Sequence, residues 1–283
     1  MEDTIFNSPY SISRLECFCE CQHEFYLTYV KGMRSEGENI YGFLGSRVHE
    51  ILEELQVGKI TIDEALNRYD ESIDDADILG FEFITKKSGD NWKECVRHYI
   101  ENFEPIECTE FGVEEGFHID IDGIKVRGHI DFWYKDKEDG LLRVIDYKTS
   151  TKFAKKDLPK YGRQLILYAY ALEQLGYGKV KDTSWDMLKY VSKPWRKTFV
   201  LKERNEITDL DGIEYGKGIV TLDYNEDAKN NLLDWIKSTV EEINSKDIDN
   251  PYDWKPCEGY SKSFSCKNLC DHYKLGNCMY HFK

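Results

Sequence analysis

Two short runs concentrate the residues that could do chemistry. GHIDFWY at 128–134 places Asp131 in an alternating strand pattern, and VIDYKTS at 144–150 places Asp146 and Lys148 two apart in another. Residues two apart on a strand share a face, so Asp146 and Lys148 point the same way, on either side of Tyr147. A tight turn at Asp139-Gly140 joins the two runs. Paired as a hairpin, they would bring Asp131 and Asp146 together at one end. Two carboxylates, a histidine and the Tyr147 carbonyl oxygen make a hard donor set, suited to Mg²⁺ or Mn²⁺. A lysine beside such a site can orient a water and offset charge on a phosphate. His49 sits on a helical pattern just after a glycine, and Gln164 and Tyr168 lie four apart on one face of the helix that follows the lysine. An Asp–Lys pair alone is ordinarily a solvated ion pair; the wider set gives it meaning.

The elements that must hold these residues follow from periodicity. A helix capped by Ser11 or Ser13 carries apolar positions at Leu15, Phe18, Phe25 and Leu27. Residues 37–45 read as a loop, and GSRVHEILEEL as a helix with Val48, Ile51, Leu52 and Leu55 on one face. Thr61 and Glu64 form a capping box ahead of another helix, and NWKECVRHYIENF reads as the next. Residues 106–123 alternate in two runs, and 121–150 read as three short strands with turns at Asp122-Gly123 and Asp139-Gly140. The helix YGRQLILYAYALEQLG stops at Gly176, strands return over 182–202, and an amphipathic helix spans roughly 225–245. This order predicts a mixed α/β domain with helical additions.

The 283 residues include 53 acidic and 38 basic side chains, for a net charge of -15. That sum disfavours a general polyanion binder, but the charge is unevenly spread. Residues 50–120 carry 20 acidic and 6 basic side chains, while 143–163 carry 7 basic and 2 acidic. No run of 18 apolar residues occurs, so no membrane span is expected. The opening MEDTIFNSPY lacks the features of a secretory signal, which predicts a cytoplasmic protein with reduced cysteines. Nine cysteines in that setting suggest metal or cluster ligation. Cys17, Cys19 and Cys21 lie near one end and Cys257, Cys266, Cys270 and Cys278 near the other, whereas Cys95 and Cys108 are isolated.

Five motifs in order carry a family resemblance: SISRLECFCECQHEFYLTYV, GSRVHEILEEL, GHIDFWY, VIDYKTS and RQLILYAYAL. Together they resemble the PD-(D/E)xK nuclease superfamily, in particular its RecB-like exonuclease branch, over nearly the whole chain. The resemblance implies a restriction-endonuclease-like α/β core, a central mixed sheet flanked by helices, with a helical insertion and a cysteine-rich terminal clip. His49, Asp131, Asp146 and the Tyr147 carbonyl then resemble the metal ligands, Lys148 the catalytic lysine, Gln164 the residue near the scissile phosphate, and Tyr168 its support. It also implies a [4Fe–4S] cluster, for which Cys21, Cys266, Cys270 and Cys278 are the candidates. Here the spacing is C-x₃-C-x₇-C where the branch more often has C-x₂-C-x₅-C, so Cys257 or Cys19 could substitute, and a structural Zn²⁺ on Cys257, Cys266, Cys270 and Cys278 is the chemical alternative.

The expected organisation is one nuclease domain over 1–283. It comprises an N-terminal helix and cysteine region (1–36), an acidic helical region (46–104), the core (105–249) and the clip (250–283). Lys152, Lys155, Lys156, Lys160 and Arg163 read as a phosphate-contacting stretch. Trp133, Trp185 and Trp195 could stack on bases, although each more often packs a core. The expected activity is metal-dependent exonucleolytic hydrolysis of single-stranded DNA or of duplex ends, in recombination, repair, phage replication or CRISPR spacer processing. The expected partners are DNA and a helicase, recombination or CRISPR protein, with no membrane. The alternative is a non-catalytic DNA-binding or scaffold subunit with a relic nuclease fold.

Overall fold

The structure, a computed structural model, describes residues 8–33, 39–150, 153, 157–189, 219–258, 265–268 and 270–280. The chain divides into two compact units. A central unit holds Ile40–Phe117 and His129–Lys229, and a terminal unit holds Met1–Asn39, His118–Gly128 and Asn230–Lys283.

A five-stranded mixed sheet runs in the order β1 (Phe111–Ile121), β2 (Ile124–Lys135), β3 (Leu142–Lys148), β4 (Val180–Met187) and β5 (Ile219–Asp223). β2 and β3 are antiparallel, β3 and β4 parallel, and β4 and β5 antiparallel. A parallel pair needs a crossover, and the helix Leu158–Gln174, α6 in chain order, supplies it. The region expected as several short strands is two long ones: β1 continues past Gly116 and β2 past Gly128. Pairing within the sheet overrides the local weakness of glycine. The turn at Asp122-Gly123 forms as expected, with both residues at positive φ and Asp120 Oδ1 accepting from the Gly123 N–H at 2.6 Å.

Three helices, α3 (Ile40–Gln56), α4 (Ile62–Ile78) and α5 (Lys86–Glu101), share a core cluster with Phe132, Ile145, Tyr147 and Leu188. α3 begins at Ile40, inside the stretch expected as a loop. Ile40 and Leu44 are both buried. Burying each is worth about 1.5–3 kcal/mol, against about 0.5–1 kcal/mol for each helical glycine. The capping box of α4 is present: Thr61 Oγ1 accepts from the Glu64 N–H at 3.3 Å and Glu64 Oε2 accepts from the Thr61 N–H at 2.8 Å. α5 starts earlier than its apolar pattern, because Thr85 caps it with Ser88 in place of a glutamate. Tyr99 on α5 donates to Asp186 Oδ2 of β4 at 2.6 Å, a buried polar tie between helix and sheet. α6 packs against β3 and β4.

In the terminal unit, Ser11 caps α1 (Ile12–Glu20). The first helix does not run through Leu27 as its pattern suggested. Cys21 adopts an extended backbone and restarts the chain as the short α2 (Gln22–Phe25), followed by a π-helical turn over Tyr26–Val30. Phe18, Phe25 and Trp254 form the aromatic core there, with Phe25 stacked on Trp254 at 5.9 Å. The unit also holds most of α7 (Glu226–Asn244) and two short helices, α8 (Cys266–Asn268) and α9 (Asp271–Lys274). Among the described residues no helix is long and apolar enough to cross a membrane.

Candidate active site

The site forms where β2 and β3 part. Their ladder pairs Phe132 with Ile145. One residue beyond, Asp131 turns its carboxylate across the gap, and its Oδ2 accepts from the Tyr147 N–H at 2.9 Å. β3 stays paired with β4 through Lys148, so Asp146 and Lys148 are held on a rigid strand. As the alternation predicts, Tyr147 goes into the helical core, while Lys148 reaches toward α6.

The sequence-predicted residues fall into two linked groups. Lys148 Nζ lies 2.6 Å from Asp146 Oδ2 and donates to Gln164 Oε1 at 3.2 Å. Gln164 in turn donates through Nε2 to the Tyr168 hydroxyl, one turn further along α6. His49 Nδ1 is 3.4 Å from Asp131 Oδ2, and its ring stands edge-on to Tyr147 at 6.4 Å. The Tyr147 backbone lies near enough to the His49 ring to oppose the fall of its pKa.

Glu114 joins them and was not anticipated. One donor atom each from His49, Glu114 and Asp131 lie within 4.8 Å of one another. Glu114 is a non-glycine residue at positive φ, 46°, within β1. That conformation is rare and commonly marks a bulge that re-aims a side chain. The only sequence signal was a Glu-Glu step, Glu114-Glu115, interrupting strand alternation. An open cleft of about 490 Å³ fronts the group, lined by Tyr41, His49, Glu50, Glu53, Glu114 and Lys148.

The electrostatics suit a cation. Burial, then the Asp146 charge, pushes the Asp131 carboxyl well above the usual range, against the opposing pull of Lys148 and the Tyr147 N–H. Burial lowers the His49 pKa, with Asp146 opposing, which favours the neutral imidazole that binds metals. Glu114, though exposed, is also raised, by partial desolvation and then by the Glu53 charge. Asp146 is 1% exposed, and among the described residues neither of its oxygens has a hydrogen-bond partner, since the Lys148 ammonium pairs with it by charge without hydrogen-bond alignment. Carboxylates crowded and under-bonded in this way fit a divalent ion, whose charge reverses the shifts. Burial also raises the Tyr168 phenol, keeping it protonated.

Of the proposed phosphate-contacting residues, Lys160 and Arg163 lie on α6, and Lys152, Lys155 and Lys156 lie outside the described residues. Trp133 and Trp185 are buried, Trp133 donating to Glu115 Oε2 at 2.7 Å, so both pack the core; Trp195 lies outside the described residues.

Within the terminal unit, Cys21, Cys257, Cys266, Cys270 and Cys278 line one cavity of about 80 Å³, with His23, Glu24 and His272 also in its walls. Cys257 and Cys266 Sγ are 3.1 Å apart. Cys21 brings its thiol there because the chain breaks helix at that residue. Burial raises the thiols of Cys21 and Cys270, the latter to about 12. Cys19 is exposed, with Sγ 4.0 Å from Thr239 Oγ1, and Cys17 is partly buried; neither lines the cavity.

No curated protein matches this chain. Among solved structures, a candidate exonuclease from Eubacterium rectale is 14% identical, over 93% of this chain and 87% of that chain, with a TM-score of 0.48. A protein designated SSO0001 is 16% identical, over 90% of this chain and 93% of that chain, with a TM-score of 0.32. Likeness at those levels carries no weight for activity. A family model does: residues 9–272 match the PD-(D/E)XK nuclease superfamily, the span that holds every residue of the cleft. With the mixed sheet flanked by helices and the acidic cluster at its parted strands, this chain belongs to the PD-(D/E)XK nuclease superfamily.

Proposed function

We propose that this chain is a Mg²⁺- or Mn²⁺-dependent deoxyribonuclease of the RecB-like branch, acting as an exonuclease on single-stranded DNA or at duplex ends. The observation that carries the reading is the position of Lys148, tethered to both Asp146 and Gln164 on the strand that borders the His49–Glu114–Asp131 cluster. An intact lysine relay of this kind favours an active enzyme over a relic fold.

His49, Asp131, Asp146 and the Tyr147 carbonyl would hold the ion, with Glu114 as a further donor. When bound, the ion supplies charge stabilisation for the phosphate and lowers the pKa of an attacking water. The protein's own groups do the rest. Lys148 offers its ammonium protons to the water or to a phosphate oxygen, fixing direction and offsetting charge. Gln164 holds that ammonium in place and Tyr168 orients Gln164. The phosphorus is attacked in line with the leaving 3′-oxygen. Lys160 and Arg163 are assigned to the DNA backbone, with Lys152, Lys155 and Lys156 beside them in sequence.

The chain is further read as one nuclease domain over 1–283 that works in the cytoplasm with a helicase, recombination or CRISPR protein. A [4Fe–4S] cluster on Cys21, Cys266, Cys270 and Cys278 is the accompanying cofactor assignment, and the support for it is the convergence of these thiols on one cavity. Zn²⁺ with Cys257 is the alternative.

The test is digestion of end-labelled single-stranded and duplex DNA, with a circular single strand as control, in Mg²⁺ and in Mn²⁺. The reading expects metal-dependent loss of linear DNA from its ends and none in the Lys148→Ala protein. Failure of fully metallated protein to cut any substrate would favour the non-catalytic scaffold.

A further inference from the structure

The connection between α4 and α5 presents an apolar tip that the nuclease fold does not need. Ile78 is 82% exposed, Leu79 63% and Ile84 50%. They are not on a loose loop. α4 ends with Phe81 N–H bonding to Ala76 O and Gly80 N–H to Asp77 O, with Gly80 at φ 76°, an arrangement that closes the helix and fixes Ile78 and Leu79 outward. Phe81 and Phe83 anchor the segment inward, Phe81 on Phe43 at 5.0 Å and Phe83 on Trp92 at 5.8 Å. The turn requires Gly80 and the two anchors; polar residues at 78, 79 and 84 would fit it equally well. Exposed apolar side chains on one short connection mark an interaction surface.

The charge around the tip narrows what covers it. Between Asp70 and Glu82 there are six acidic residues and no basic one. Arg97 pairs with Asp70, but no cation among the described residues pairs with Glu71, Asp74, Asp75, Asp77 or Glu82. Such a field repels DNA, an anionic membrane and the same surface of a second copy. It attracts a segment that carries lysine or arginine around an apolar stripe. We propose that this tip docks a basic amphipathic segment of a protein partner, with Ile78, Leu79 and Ile84 as the apolar contact and the acidic residues as its rim.

The test uses the full chain and a fluorescent Leu/Lys amphipathic peptide, read by anisotropy. A peptide of the same composition in scrambled order and a Leu/Glu peptide are the controls. The proposal expects the ordered Leu/Lys peptide to bind best and its affinity to fall as salt rises. The decisive variant is Ile78→Asp with Leu79→Asp. It adds negative charge, so a purely electrostatic contact would tighten; the proposal expects at least about tenfold weaker binding instead. Ile78→Ser with Leu79→Ser should weaken binding in the same direction, with thermal stability and nuclease activity unchanged in both proteins. Equal binding of ordered and scrambled peptides overturns the proposal, as does undiminished binding to both variants. So does a dimer seen by sedimentation that the aspartate variant disperses, since the occupant would then be a second copy.

Discussion

Lys148 Nζ lies 2.6 Å from Asp146 Oδ2, and Asp146 is almost wholly enclosed. The two sit two residues apart on β3, so the strand itself fixes their geometry. Truncating the lysine leaves a buried carboxylate without its countercharge, which costs about 3–5 kcal/mol in such pairs. Lys148→Ala should therefore lower the urea midpoint of metal-free protein, and adding Asp146→Asn should recover most of the loss. On DNA, Lys148→Ala should cost at least about a hundredfold in rate. A single variant that is inactive yet as stable as the parent would mean that the pair carries no structural weight.

Gln164 Oε1 accepts from Lys148 Nζ, so under the proposed function its truncation should act on turnover. Gln164→Ala should lower kcat by roughly ten- to a hundredfold, because small misplacements of a reacting group are expensive, while KM for DNA stays close to the parent value. Tyr168→Phe should be milder, since Gln164 Oε1 can still receive Lys148. Steady-state kinetics on one end-labelled substrate separates the two; a change confined to KM would make both residues DNA contacts instead.

One donor atom each from Glu114, His49 and Asp131 lie within 4.8 Å of one another, so under the proposed function Glu114 would share their ion. Glu114→Gln should weaken Mn²⁺ binding by roughly tenfold or more, and Asp131→Ala should abolish it. Calorimetric titration of the folded proteins measures this directly. Unaltered affinity in Glu114→Gln would return that carboxylate to the cleft wall.

The five thiols of the terminal cavity give an analytical prediction. Anaerobically purified protein should be brown and carry about four irons per chain. Cys21→Ser, Cys266→Ser, Cys270→Ser and Cys278→Ser should each lose them, and Cys257→Ser should keep them. A colourless protein with one zinc, lost in Cys257→Ser, would assign the site to the tetrahedral alternative.

His23 is 2% exposed, and among the described residues neither ring nitrogen has a hydrogen-bond partner. Burial, helped by His272, holds its pKa below the ordinary value. The unfolded chain therefore takes up a proton on this residue before the folded one does, so its contribution to stability is intact above about pH 6.5 and is lost as pH falls below that. His23→Phe keeps the ring contacts with Tyr26 and Tyr280 and removes the proton. The difference between urea midpoints at neutral and mildly acidic pH should shrink in that protein; an unchanged difference would place the acid sensitivity elsewhere.

Much of this was written locally. Alternation around Asp146-Tyr147-Lys148 decides which side chains share a face, because the strand period is two whatever the surroundings. The Thr61–Glu64 box and the i, i+4 spacing of Gln164 and Tyr168 are likewise complete within one turn of helix. At the level of the superfamily, the resemblance read from five short motifs agrees with the match over 9–272. Other features were not local. The helix start at Ile40 is set by burial of Ile40 and Leu44, which no propensity reveals. β2 runs through Gly128 because its neighbours in the sheet hold it there.

The sequence by itself determined the donor types, their order and the faces they share: Asp131, Asp146 and Lys148 on strands, His49 and Gln164 on helices. Only the tertiary structure decided the distances. Asp131 bonds the Tyr147 backbone because two antiparallel strands part at that point. Glu114 enters the cluster because one residue of β1 takes a left-handed backbone. Cys21 meets four thiols from the far end of the chain because both ends pack into one unit. Each of these depends on contacts between residues remote in sequence, which periodicity and spacing do not encode.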